Sequence, residues 1–315
     1  MRLSKHPPLG LSAAIARWAA RASLAILTAC GPTGAPAVGF GVAGPVGQET
    51  GPTRERIHKV PLVDREGQAH LLHTRICRPP GEAPARVAVI AHGSPAIAAD
   101  RPTYRPSSCE GEAARWFLAR GYLVVFGLRR GFGETGGPFA EAVGESCVAE
   151  RYVASARESA RDLDALVVYA TGLPYAKPNG AIVVGQSAGG WAALGYNSMP
   201  HPKVAAMVSM AGGRGGRVNN QPNRNCRADQ LAQAAGKLGE TATTPMVWVY
   251  TENDSFFAPQ IASDLHFRFT QAGGQAVLHR LGPFGADGHG LFNGRGGPAI
   301  WGPILEPYLR SRGAL

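Results

Sequence analysis

Gly185-Gln186-Ser187-Ala188-Gly189 stands between a strand-like run, Ala181-Ile182-Val183-Val184, and a helix-like run, Gly190-Trp191-Ala192-Ala193-Leu194-Gly195-Tyr196. A G-x-S-x-G sequence in strand–turn–helix context reads as a nucleophile elbow. The turn is so tight that the serine is pushed out at its apex. The flanking glycines leave room where side chains would meet the adjoining strand and helix. The hydroxyl then lies over the positive end of a helix, where an anion is favoured. In a chain with 42 glycines the pentapeptide decides little alone; its weight comes from the order of what surrounds it.

Upstream, Ile57–Val63 and Ala69–Cys77 alternate like antiparallel strands about a turn at Arg65-Glu66-Gly67. Arg86–Ala91 is continuously apolar, as a strand covered on both faces should be. A helix pattern over 110–120 ends at Gly121, and Tyr122–Phe126 reads as the next buried strand. Residues 151–171 form an amphipathic helix pattern. Beyond the elbow, strands are expected at 204–210, 245–250 and 275–281, and helices at 226–238, 258–272 and 299–312. Strands alternating with helices at these lengths predict an α/β fold: a mostly parallel sheet, helices on both faces, and an antiparallel hairpin at its N-terminal edge.

In open parallel sheets reactive groups collect just past the carboxyl ends of the strands. A serine nucleophile needs a base, the base needs an orienting carboxylate, and the oxyanion needs N–H donors. Past 245–250 lies Thr251-Glu252-Asn253-Asp254-Ser255, with Asp254 taken as the acid over Glu252, which sits nearer the strand end and can point to solvent. Past the last strand lies Gly285-Ala286-Asp287-Gly288-His289-Gly290, with His289 as base and Asp287 too close in sequence to orient it. Past Arg86–Ala91 comes His92-Gly93-Ser94-Pro95. Pro95 has no N–H, so Ser94 and Ala188, directly after the nucleophile, are the expected oxyanion donors. His92 reads as a packing residue, His279 as a strand residue and His201 as a surface turn residue.

The order Ser187, Asp254, His289, with the His92–Pro95 loop upstream, resembles the α/β-hydrolase superfamily over about residues 55–315. The turn Arg129-Arg130-Gly131-Phe132-Gly133-Glu134-Thr135-Gly136-Gly137 is similar to an arginine–glycine turn of many members, which implies structural support near the site. Within the superfamily the chain looks most like dienelactone-hydrolase-like esterases and the catalytic domains of prolyl-oligopeptidase-type peptidases. It departs from the first in carrying Ser187 where true dienelactone hydrolases carry cysteine. It departs from the second in that no propeller is expected within 315 residues. The resemblance implies a serine hydrolase acting on carboxylic esters, with no metal or organic cofactor required. A peptidase or amidase with the same triad is the alternative, and a surface binding protein that kept the fold is a remote one. Substrate identity and oligomeric state are not legible.

The first thirty residues read as an export signal. Arg2, Lys5, Arg17 and Arg21 precede the apolar run 22–27, and Leu27-Thr28-Ala29-Cys30 resembles a bacterial lipobox, which implies lipidation of Cys30 and a cell-envelope tether. An ordinary secretory signal is the alternative. The apolar run is shorter than the roughly 20 residues a bilayer span needs. Residues 31–54, rich in Gly, Pro and Ala, read as a flexible tether to a catalytic domain at 55–315. Net charge is +10, with scattered arginines rather than a basic face, so no nucleic-acid partner is expected. The segment 212–217 looks like an Arg–Gly box but is read as a glycine-rich loop at the cleft mouth, with Arg214, Arg217 and Arg224 read as solvated and a preference for anionic substrates as the alternative. Cys77, Cys109, Cys147 and Cys226 allow two disulfides in three pairings. Cys109–Cys147 is preferred because both flank one presumed crossover, and the absence of C-x-x-C spacing argues against zinc.

Overall fold

The computed structural model describes residues 41–315. Among these residues nine strands form one sheet in the order β1-β2-β3-β5-β4-β6-β7-β8-β9. They are β1 (Gly44–Thr50), β2 (Glu55–Val63), β3 (Ala69–Cys77), β4 (Arg86–Ala91), β5 (Tyr122–Gly127), β6 (Ala181–Gln186), β7 (Val204–Met210), β8 (Met246–Thr251) and β9 (Ala276–Leu281). The first three and their junction with β5 are antiparallel, and every pairing from β5 through β9 is parallel. The helices are α1 (Glu112–Leu118), α2 (Ala149–Thr171), α3 (Ala188–Asn197), α4 (Ala228–Gly239), α5 (Pro259–Gln271) and α6 (Gly297–Ser311).

The period-2 geometry of the central strands explains their unbroken apolar character. Val87, Val89 and Ala91 of β4 face a core shared with α2, α3, α4 and α5, and Ala88 and Ile90 face a second core shared with α1 and α6. Strand β6 divides in the same way, Val183 to the first core and Ile182 and Val184 to the second. Both faces are thus sealed, and the carboxyl ends of β4, β6 and β8 are left to carry the site.

Three expectations are corrected. Strand β1 lies within the stretch read as a tether. As an edge strand exposed along nearly its whole length, it has no apolar periodicity to announce it. The disulfides are Cys77–Cys109 and Cys147–Cys226, not Cys109–Cys147. Cys109, just ahead of α1, meets the end of β3 and packs in the α1 core, whereas Cys147, just ahead of α2, packs in the opposite core and reaches the loop after β7. The sheet separates the two. On chain entropy, closing loops of 32 and 79 residues contributes about 4 kcal/mol each. Third, His201 is buried, its ring bonded to Met199 O and Thr244 Oγ1 rather than to solvent. Cys30, the export signal and residues 31–40 of the expected tether lie outside the described residues. Among the described residues no helix is long and apolar enough to cross a membrane.

Candidate active site

Ser187 sits at the apex between β6 and α3 with φ 55° and ψ −121°, a left-handed conformation that costs a non-glycine residue about 1–3 kcal/mol. Its backbone over-determines that geometry. The N–H donates to Met210 O at 2.9 Å, and its carbonyl accepts from Trp191 N at 3.0 Å and Gly213 N at 3.1 Å. The elbow glycines are sterically required. A Cβ on Gly185 would run into the carbonyl of Gly189, and one on Gly189 into the carbonyl of Ala91. Backbone atoms cannot step aside as a side-chain tip can, so Gly189→Ala is expected to cost about 2–3 kcal/mol. A lowered urea midpoint with an unchanged m-value would register the loss.

Asp254 and His289, from different loops, are in contact. Asp254 is 2% exposed, and both of its carboxylate oxygens lie 3.0 Å from His289 Nδ1. Oδ1 also accepts the N–H groups of Phe256 (2.8 Å) and Phe257 (2.9 Å), which fixes the carboxylate against rotation. With Nδ1 donating, the imidazole presents Nε2 as an acceptor. Glu252, the rejected alternative, is exposed.

The loop bearing His289 is organised by hydrogen bonds that sequence reasoning missed. Asp287 accepts the backbone N–H of His289 at 3.0 Å and that of Ser255 at 3.1 Å. Asn253 Oδ1 accepts Phe284 N at 2.8 Å. Gln186, the residue before the nucleophile, donates to His289 O at 3.0 Å and is itself held by Asn293. Phe256 stacks on the imidazole with centroids 4.1 Å apart and planes 22° off parallel. Gln186 lies inside the elbow and Phe256 two residues past Asp254, so proximity in sequence was a usable signal for both.

A cavity of about 180 Å³ opens on Ser187 and is lined in part by Ser94, Ala188, Phe256 and Phe257. The structure therefore brings Ser94, Ser187 and Ala188 to one cavity, on whose wall the aromatic partners of His289 also lie. The Ser187 hydroxyl makes no hydrogen bond to a described side chain. Gly93 passes so close that a Cβ there would stand 3.1 Å from Ser187 Cβ.

His92 is a packing residue, as expected. Nδ1 donates to Gly93 O at 2.6 Å, Nε2 accepts from Arg129 N at 3.1 Å, and the ring packs edge-on against Phe132. Burial first, then the charge of Arg129, pushes its pKa down to about 3, so the ring is neutral and both nitrogens are occupied. The Arg129–Arg130 turn gives structural support. Arg130 pairs with Asp162 at 2.7 Å, and Arg129 pairs with Glu141 and donates to His92 O at 2.7 Å. Arg214 was expected in solvent; it is buried, pairs with Glu141 at 2.7 Å, and donates to Ser94 Oγ at 2.8 Å. Glu141 thus ties two arginines to the loop that carries Ser94.

No curated protein matches the chain. Among solved structures, a Pyrococcus furiosus esterase is 14% identical with a TM-score of 0.54, over 87% of this chain and 99% of its own. A putative dienelactone hydrolase from Klebsiella pneumoniae is 14% identical with a TM-score of 0.51, over 83% and 98%. Dipeptidyl peptidase 4 of Porphyromonas gingivalis is 13% identical with a TM-score of 0.55, over 82% of this chain but 35% of its own. At such identities the likeness is one of fold, and it is the α/β-hydrolase fold. The family model described as X-Pro dipeptidyl-peptidase (S15 family) matches residues 67–271, a span that holds Ser94, Ser187 and Asp254 and ends before His289. Well over half of the sequence lies in that match, and the chain belongs to the X-Pro dipeptidyl-peptidase (S15) family of α/β-hydrolase-fold hydrolases.

Proposed function

We propose that the chain is a serine hydrolase cleaving carboxylic esters through an acyl-enzyme on Ser187. His289 Nε2 takes the Ser187 proton as Oγ attacks the ester carbonyl. The N–H groups of Ser94 and Ala188 receive the oxyanion, and Asp254 steadies the imidazolium. The proton passes to the leaving alkoxide, and water then attacks the acyl-enzyme by the same route. The observation that carries this reading is the pairing of buried Asp254 with His289, near a cavity that holds a strained serine and two candidate backbone donors.

Family membership favours a second reading, cleavage of X-Pro dipeptides from peptide N-termini. A peptide N-terminus is an ammonium group and calls for a carboxylate near the nucleophile, yet among the described residues no acidic side chain lines the cavity. That favours the ester. Turnover of 4-nitrophenyl butyrate against Ala-Pro-4-nitroanilide decides between them. The ester is expected to exceed the anilide by at least about a hundredfold in kcat/KM, since the anilide lacks a buried partner for its charge. A larger value for the anilide reverses the assignment.

The two disulfides suit an oxidising compartment. With the lipobox-like sequence ending at Cys30, they support export and a lipid tether at the cell envelope as the setting of this activity.

A further inference from the structure

Among the described residues, the charges on the cavity at Ser187 are all of one sign: the ionised side chains that line it are Arg101 and Arg214. Arg214 shares the single carboxylate of Glu141 with Arg129, so this buried group of three carries one uncompensated positive charge. Arg101 adds a second. Its guanidinium lies 3.7 Å over the Phe139 ring, and among the described residues its side chain has neither an ion pair nor a hydrogen bond. Arg214 lies 5.1 Å from the same ring centroid, so both guanidiniums border the one aromatic ring on the cavity wall. A guanidinium over an aromatic face keeps its N–H donors at its rim, where a carboxylate can meet two at once.

We propose that this end of the cavity is an anion subsite, and that the substrates are esters of short dicarboxylic acids whose free carboxylate docks between Arg101 and Arg214. The proposal rests on the ester-hydrolase reading and deepens it. The carboxylate belongs on the acyl part, because the acyl group alone stays bonded to Ser187 and must be housed in the cavity while the alcohol departs. The cavity's small volume suits an acyl chain of a few carbons.

The test compares monomethyl succinate with its uncharged counterpart methyl pentanoate, with hydrolysis followed by titration of released acid. The wild type is expected to favour monomethyl succinate by about tenfold or more in kcat/KM, and Arg101→Gln to collapse that ratio toward one. Arg101→Glu is expected to transfer the preference to methyl 4-(trimethylammonio)butyrate. Equal measurable rates on both esters, or a measurable ratio untouched by Arg101→Gln, overturns the subsite. Titration calorimetry of monomethyl succinate into Ser187→Ala reads the subsite without turnover. Binding that weakens tenfold or more on adding Arg101→Gln supports the subsite even if the wild type hydrolyses neither ester, in which case the ester reading alone falls. No binding to Ser187→Ala overturns the subsite whatever the activity of the wild type.

Discussion

Ser187→Ala is expected to lower kcat for ester hydrolysis by about 10⁴–10⁶-fold, because on the proposed mechanism the acyl-enzyme cannot form and only cavity binding and oxyanion contacts remain. The same variant is expected to unfold no more easily than the wild type. The hydroxyl has no hydrogen bond to a described side chain, and Ser187 itself lies in left-handed backbone, where alanine is strained about as much as serine. The contacts that hold the elbow are main-chain ones to Met210, Trp191 and Gly213, and alanine keeps them all. Fluorophosphonate labelling, mapped by peptide mass, is expected to mark Ser187 in the wild type and nothing in the variant. Full activity in Ser187→Ala, or a label on another serine, would remove this residue from the mechanism. A loss of activity matched by a loss of folded protein would say only that the elbow is fragile, so the urea midpoint is measured on the same preparations.

What could be read from the sequence and what could not divide along a physical line. Strand and helix positions follow from apolar periodicity, which is local, and the parallel order follows from their alternation. Ser187, Asp254 and His289 stood out because each lies directly past a strand whose end the fold brings to one edge. Long-range pairs carry no such local mark. Cys77 and Cys109 meet because β3 ends beside the segment leading into α1, a fact of sheet order rather than of spacing. His201 and Arg214 were misread for one reason: loop residues were taken as solvated. In each case a buried partner, Thr244 for one and Glu141 for the other, lies dozens of residues away. Strand β1 escaped because glycine and proline in an exposed edge strand look like linker.

The residue with the largest effect among those the sequence concealed is Glu141, which is 1% exposed and faces Arg129 and Arg214. Burial pushes its pKa upward, but the two guanidiniums outweigh burial and hold it down to about 2. The sign follows. A carboxylate depressed from its ordinary value near 4.5 adds stability that is fully present above that value and lost as pH falls toward about 2. A depression of that size corresponds to about 3 kcal/mol. Glu141→Gln leaves two buried arginines without a counter-ion, which costs about 3–5 kcal/mol. The variant is therefore expected to unfold at lower urea at pH 7, and its stability should change less than that of the wild type between pH 4.5 and 2. Activity is expected to suffer separately, because Arg129 holds His92 O and Arg214 holds Ser94 Oγ. Both contacts set the loop that carries Ser94, the proposed oxyanion donor, and losing one such donor costs about 10²–10³-fold in kcat. Trimethylamine N-oxide distinguishes the two effects, since it restores folded population without rebuilding a missing charge. A kcat that recovers fully in the osmolyte would reduce Glu141 to a stability residue. A kcat that stays low in fully folded protein, with KM little changed, assigns Glu141 the positioning of the oxyanion loop.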